Sequence, residues 1–104
     1  HPEANVVMAL NDPSALGALA AIEGAGLQGQ FLVYGVDGSP EGKVLVADGL
    51  MTATSAQMLS QMAETAVDQA YLAMEGGTPE KEIVLPVTLL TQGNVAAYGT
   101  GGWQ

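Results

Sequence analysis

Three short apolar runs that each end in a polar side chain constrain this chain more than any other feature. Residues 6–10 are followed by Asn11, residues 31–36 by Asp37 and residues 50–56 by Gln57. Apolar runs of this length are typical of strands buried in a parallel sheet. Because neighbouring parallel strands point the same way, polar residues at their carboxyl ends share one edge of the sheet, where open α/β sheets bind ligands. The pattern therefore predicts a hydrogen-bonding site at that edge.

The segments between the runs carry helix signals. Asp12 and Ser39 each precede a proline, and a capping side chain followed by proline at the first helical position favours a helix start. A stripe of Leu, Met and Ala predicts a longer helix over 59–74, and a final apolar run predicts a fourth strand over 83–90. We therefore expect an α/β fold, with a three-layer parallel sheet built from right-handed crossovers.

Composition excludes several classes of function. The chain has 104 residues, enough for one domain, and a net charge of −9 with only two cationic side chains, which leaves no basic surface for nucleic acid. The absence of cysteine rules out disulfides and thiolate chemistry. The single histidine is His1, at the terminus, so Ser39 and Ser55 have no partner for nucleophilic catalysis. We expect no catalytic residue, no metal site and no cofactor.

The three strand-end side chains are the candidate ligand-binding residues: Asn11, Asp37 and Gln57. A carboxylate flanked by two amides suits a neutral polyhydroxylated ligand, since a carboxylate accepts two hydroxyl protons in charge-assisted bonds. Two of the three have a second interpretation, Asp37 as a turn residue and Gln57 as a surface amide. Asp12 is interpreted chiefly as a turn and cap residue. Trp103 is assigned mainly to a flexible tail, although an indole could stack on a sugar.

Several blocks of the sequence resemble a known family. Residues 9–19 (ALNDPSALGAL), 34–41 (YGVDGSPE), 50–57 (LMTATSAQ) and 89–94 (LLTQGN) are similar, in order and spacing, to blocks of the type 1 periplasmic sugar-binding proteins. These are receptors of ABC transporters for ribose, galactose and related sugars, and the autoinducer-2 receptors are relatives. The resemblance covers nearly the whole chain.

The resemblance implies a function and an architecture. It implies that Asn11, Asp37 and Gln57 bond sugar hydroxyls between two lobes, and that a membrane permease is the transport partner. Val36 stands where ribose receptors carry an aromatic residue, which removes one stacking surface. A complete receptor has two domains, so residues 1–104 resemble its C-terminal portion, with residues 58–76 packing on the first lobe. We expect a periplasmic or membrane-anchored extracellular protein whose targeting signal lies outside this chain.

Two other functions share this architecture. One is the effector-binding core of a LacI-type transcription repressor, which would carry a helix-turn-helix before His1. The other is a flavodoxin-like enzyme or receiver domain, which is disfavoured because the chain lacks a phosphate loop, an acidic cluster and a suitably placed lysine. The sequence that precedes His1 distinguishes the receptor from the repressor, since a secretory or lipoprotein signal favours transport. The isolated polypeptide is expected to associate or to swap elements.

Overall fold

The computed structural model describes residues 1–104 and contains the predicted alternation of strands and helices. In chain order the elements are β1 (Val6–Met8), α1 (Asp12–Gly24), β2 (Leu32–Asp37), α2 (Pro40–Ala47), β3 (Ala53–Gln57), α3 (Leu59–Met74), β4 (Val87–Thr91) and a 3-10 turn at Val95–Tyr98. The α/β class is confirmed. The strands begin or end within a few residues of the predicted positions, with β4 displaced furthest toward the C-terminus.

The helix starts follow the predicted chemistry with one correction. Ser39 caps α2 through its hydroxyl, which accepts a hydrogen bond from the Gly42 amide at 2.9 Å. In α1, however, the N-cap is Asn11, whose Oδ1 accepts from the Ser14 amide at 2.9 Å. Asp12, predicted as the cap, is the first helical residue instead. The Asp12 carboxylate forms hydrogen bonds to other segments. The side chain of the preceding residue, Asn11, therefore accepts the hydrogen bond from the helix N-terminus.

The sheet has the strand order β1-β2-β3-β4, and its first three strands are parallel. Cross-strand neighbours include Val7 with Val33 and Gly35 with Thr54. The strands that precede the three candidate residues therefore point toward the same edge, as predicted.

The fourth strand departs from the predicted parallel arrangement, because β4 runs antiparallel to β3, with Ser55 opposite Leu89. A crossover helix that packs over a sheet brings the chain back to the amino-terminal ends of the strands, so the next strand is parallel. Helix α3 does not cover the sheet in this way and contributes no buried residue. The chain therefore re-enters the sheet at the carboxyl end of β3, where it left, and β4 runs in the reverse direction.

Helices cover only one face of the sheet. The core on that face is formed by Ala15, Val33, Val46, Met51 and Val95. Residues that alternate with the core positions point to the other face, and several are exposed apolar side chains: Val6, Met8, Leu32, Val87 and Leu89. A three-layer fold has a helical layer on each face of its sheet, and this chain forms only one of the two layers.

The molecule is elongated because α3 stands away from the sheet. Its principal extents are 59 × 31 × 18 Å and its radius of gyration is 17.3 Å, whereas a compact domain of this length has a radius of about 13 Å. Apolar side chains on α3 remain exposed, among them Met62, Val67, Tyr71 and Met74. None of the helices combines the length and the apolar character needed to cross a membrane.

Candidate functional site

Two of the three candidate residues are in direct contact at the carboxyl edge of the parallel strands. Asp37 is the last residue of β2 and Gln57 the last of β3. The Gln57 amide Nε2 donates to Asp37 Oδ1 at 2.7 Å, and both side chains are partly exposed. This bond orients the carboxylate and leaves its second oxygen, Oδ2, without a partner inside the chain.

The backbone at Asp37 adopts an unusual conformation. Its φ of 110° makes it the only non-glycine residue with a positive φ, a region that costs about 1–3 kcal/mol for such residues. Gly38 follows with a φ of 67°, and a Cβ there would lie 2.4 Å from the Ala56 Cβ. The Gly38 amide donates to Thr54 Oγ1 at 3.2 Å. The chain thus turns tightly against β3 immediately after the carboxylate.

Asn11 lies on the same edge but makes no hydrogen bond to the Asp37–Gln57 pair. It follows β1 by three residues and uses Oδ1 to cap α1. Its Nδ2 donates to no atom of the chain, so the capping bond leaves a fixed amide donor available. Its neighbour Asp12 is bonded to Ser39, which places Asn11 close in space to the turn that carries Asp37.

Asp12 is a central residue of this region, a role that its interpretation as a turn residue did not anticipate. It is 2% exposed. Its Oδ2 accepts from the Ser39 amide at 2.7 Å and from the Ser39 hydroxyl at 2.9 Å, and its Oδ1 accepts from Thr54 Oγ1 at 2.6 Å. No pattern in the sequence indicated this role. In the structure, Gly35 and Gly42 both approach the carboxylate so closely that a Cβ would lie within 2.3 Å of its oxygens.

The C-terminal tail also reaches the site. Trp103 lines a cavity together with Asp12, Asp37, Ser39 and Glu41, although the sequence placed it in a flexible tail. Lys43 is completely buried, and its Nζ donates to the Gly102 carbonyl. The Gln104 carbonyl accepts from the Ser60 amide at 3.1 Å. These bonds attach the tail to α2 and to the start of α3, and the indole lies on the same cavity as the Asp37 side chain.

The groups left free at this edge define what the site can do chemically. They are one carboxylate oxygen of Asp37, the Oε1 acceptor of Gln57 and the Nδ2 donor of Asn11. No three His, Cys, Asp or Glu side chains are arranged to hold a metal ion. Donors and acceptors of this kind bind polar ligands by hydrogen bonding. The cavity lined by Trp103 includes Asp37 but neither Asn11 nor Gln57.

The fold is of the open α/β class, and these polar groups lie at the edge where sheets of that class bind ligands. Comparison with known proteins specifies the family. The family model described as periplasmic binding protein domain matches residues 1–78, three quarters of the chain, and the chain belongs to that family.

Individual relatives agree with this assignment. The ribose import binding protein RbsB of Escherichia coli is 41% identical over 76 residues, which are 73% of this chain and 25% of that protein. A periplasmic solute binding protein from Actinobacillus succinogenes with bound D-allose superimposes with a TM-score of 0.87 at 28% identity, covering 94% of this chain and 34% of the other. The Caulobacter myo-inositol binding protein superimposes with a TM-score of 0.82 at 35% identity, covering 89% of this chain and 32% of the other. The chain thus spans about a quarter to a third of the length of these relatives.

Proposed function

We propose that this chain is part of a periplasmic receptor that captures a sugar or sugar-like polyol for uptake by an ABC transporter. The observation that carries the proposal is the Asp37–Gln57 pair, which lies at the ends of adjacent parallel strands with free hydrogen-bonding atoms. The relatives support it, since their names describe ribose and allose binding and import. The mechanism is capture without bond cleavage, and the chain acts as a binding protein.

Each candidate residue has a specific role in this mechanism. The free oxygen of Asp37 accepts a proton from a sugar hydroxyl, Gln57 Oε1 accepts another, and Asn11 Nδ2 donates to a hydroxyl oxygen. The internal bonds of Asp37 and Asn11 orient these groups before the ligand arrives. Orientation in advance matters, because a polar group left unpaired when the site closes costs about 1–3 kcal/mol.

A panel of polyols tests the function in the complete protein. D-ribose, D-allose and myo-inositol, the ligands of the relatives, are compared with succinate as a charged control without the hydroxyl pattern. A ligand at 100 times its dissociation constant adds about 2.7 kcal/mol to stability, so at least one polyol should raise the melting temperature by several degrees. If none of the three changes the melting temperature or the calorimetric titration, the proposed function is wrong.

We further propose that residues 1–104 form the C-terminal portion of a two-lobe protein, with residues 58–76 packed on the first lobe. Two observations support this architecture: α3 has no buried residue, and the chain covers 25% of the ribose relative. In that arrangement the two lobes close on the ligand by a hinge motion. The partner for transport is then a membrane permease, and the location is the periplasm or the outer side of the membrane.

The exposed stripe of α3 gives a prediction for the polypeptide of residues 1–104 alone. Apolar patches of this kind associate in water, so the isolated polypeptide should sediment as dimers or larger species. Replacing Met62 and Met74, the two large exposed side chains of the stripe, together by Glu should increase the monomer fraction, whereas Glu64→Gln, at an exposed polar position of the same helix, should not. A clean monomer with sharp cooperative unfolding would contradict the proposed packing of α3.

Trp103 gives a separate prediction about the ligand. An indole that lies on the cavity beside Asp37 can cover the apolar face of a sugar, which Val36 does not. Trp103→Ala should weaken sugar binding by about three- to tenfold, the range expected for an aromatic contact, and Trp103→Phe should restore most of the affinity. Titration calorimetry on the three proteins measures this. Equal affinities for all three would exclude Trp103 from the binding surface.

A further inference from the structure

The Asp12 carboxylate is buried without a cationic partner. The only contact between a carboxylate and a basic side chain joins His1 and Glu3, and it is ionic only when the imidazole is protonated, whereas Asp12 is 2% exposed. Burying a charged group is costly unless hydrogen bonds replace its hydration. Three donors do so here, one amide and two hydroxyls, at distances of 2.6 to 2.9 Å. Such charge-assisted bonds are short and strong, so this carboxylate is a rigid point in the molecule.

The three donors belong to two residues, Ser39 and Thr54, and the segments of these two residues and of Asp12 each carry a candidate ligand-binding residue. Asp12 itself directly follows Asn11. Ser39 lies two residues after Asp37, and Thr54 lies three residues before Gln57 on the same strand. One carboxylate therefore joins the start of α1, the turn after β2 and the body of β3.

The network extends to the strained peptide at Asp37. Thr54 Oγ1, which donates to Asp12, also accepts from the Gly38 amide at 3.2 Å. The peptide that follows Asp37 is thus fixed on one side by Thr54 and, one residue later, by Asp12. A positive φ at a non-glycine residue persists only where the surroundings determine it strongly. These bonds supply that constraint.

We propose that Asp12 is a positioning residue for ligand binding, which acts by holding the turn that carries Asp37 in place. The inference rests on the proposed function and adds to it a residue that does not itself bond the ligand. Loss of the carboxylate, or of its bond to Thr54, lets the Asp37 turn relax and weakens binding through Asp37.

The test is a double-mutant cycle measured by titration calorimetry on the complete protein with the polyol identified in the panel. Asp12→Ala removes the whole network, and Thr54→Val removes one link while preserving volume in case the first variant fails to fold. Thr54→Ser, which keeps the hydroxyl, is the matched control. Each of the three is also combined with Asp37→Ala.

The expected result is a loss of affinity of about fivefold or more for Thr54→Val, in the range of coupling between contacting residues, with little change for Thr54→Ser. In the Asp37→Ala background, Thr54→Val should cost less than about twofold, because the side chain it positions is already absent. Equal losses in both backgrounds would show a merely structural effect and overturn the inference. If the unchanged protein binds no polyol, the proposed function itself fails, and the inference fails with it.

Discussion

Replacing Asp37 by Ala in the complete protein is expected to lower its affinity for the sugar by at least about tenfold, and by as much as about a hundredfold. A hydrogen bond to a charged group contributes about 1.5–3 kcal/mol, and 1.4 kcal/mol corresponds to a factor of ten. Asp37 is the only carboxylate in the proposed set, and Gln57 is bonded to it, so the variant also frees the neighbouring amide.

Asp48→Ala is the matched control for this measurement. Asp48 is an exposed aspartate next to the C-terminal end of α2 and makes no side-chain hydrogen bond. Titration calorimetry should therefore find the affinity of that variant unchanged. An Asp37→Ala protein that binds the sugar as tightly as the unchanged protein would remove Asp37 from the site.

Asp37→Gly separates binding from stability at the same position. Glycine accepts the φ of 110° without strain, which offsets the loss of the bond to Gln57. The variant should lose sugar affinity as Asp37→Ala does, while its melting temperature without ligand stays equal to or above that of the unchanged protein. Such a result would mean that the strain is retained for binding. A melting temperature several degrees lower would show that Asp37 chiefly stabilises the fold.

Gly42→Ala is expected to have the largest effect on stability. A Cβ at this helical position would lie 2.1 Å from Asp12 Oδ2 and 2.4 Å from its Cγ. The Asp12 side chain cannot move away without breaking its bonds to Ser39 and Thr54. Overpacking costs about 1–3 kcal/mol, and a carboxylate that loses its buried partners adds a comparable amount. The melting temperature should fall by several degrees.

Gly17→Ala is the matched control, because Gly17 is also helical but has nothing within 4 Å of a Cβ. Alanine in a helix interior is more favourable than glycine by about 0.8–1.0 kcal/mol. The melting temperature should therefore rise for Gly17→Ala and fall for Gly42→Ala. A Gly42→Ala protein as stable as the unchanged one would mean that Asp12 is held less rigidly than the structure indicates.

Much of the fold could be predicted because its signals are local. Some elements depend only on residues close in sequence: the helix start at Ser39, where a capping serine precedes a proline, the first three strands with their apolar runs, and α3 with its apolar stripe. These predictions are confirmed. The direction of β4 could not be predicted in the same way. It depends on whether α3 packs back over the sheet, and the amphipathic pattern of α3 is the same in either case.

The site shows a similar division. Parallel strands that end at one edge predicted that Asp37 and Gln57 lie close together. In the structure, Gln57 Nε2 lies 2.7 Å from Asp37 Oδ1. The burial of Asp12 did not follow, because aspartate before proline is explained fully by a turn or a cap. Its bonds reach 27 and 42 residues along the chain, so no local pattern indicates them. The roles of Asn11, Asp37 and Gln57 toward a ligand remain predictions.

The most direct measurement is a crystal structure of the complete protein with the bound polyol identified by the panel. Asp37 Oδ2, Gln57 Oε1 and Asn11 Nδ2 should each lie within about 2.7–3.2 Å of a hydroxyl oxygen of the ligand. A ligand bound elsewhere, with these three side chains turned to solvent, would contradict the account.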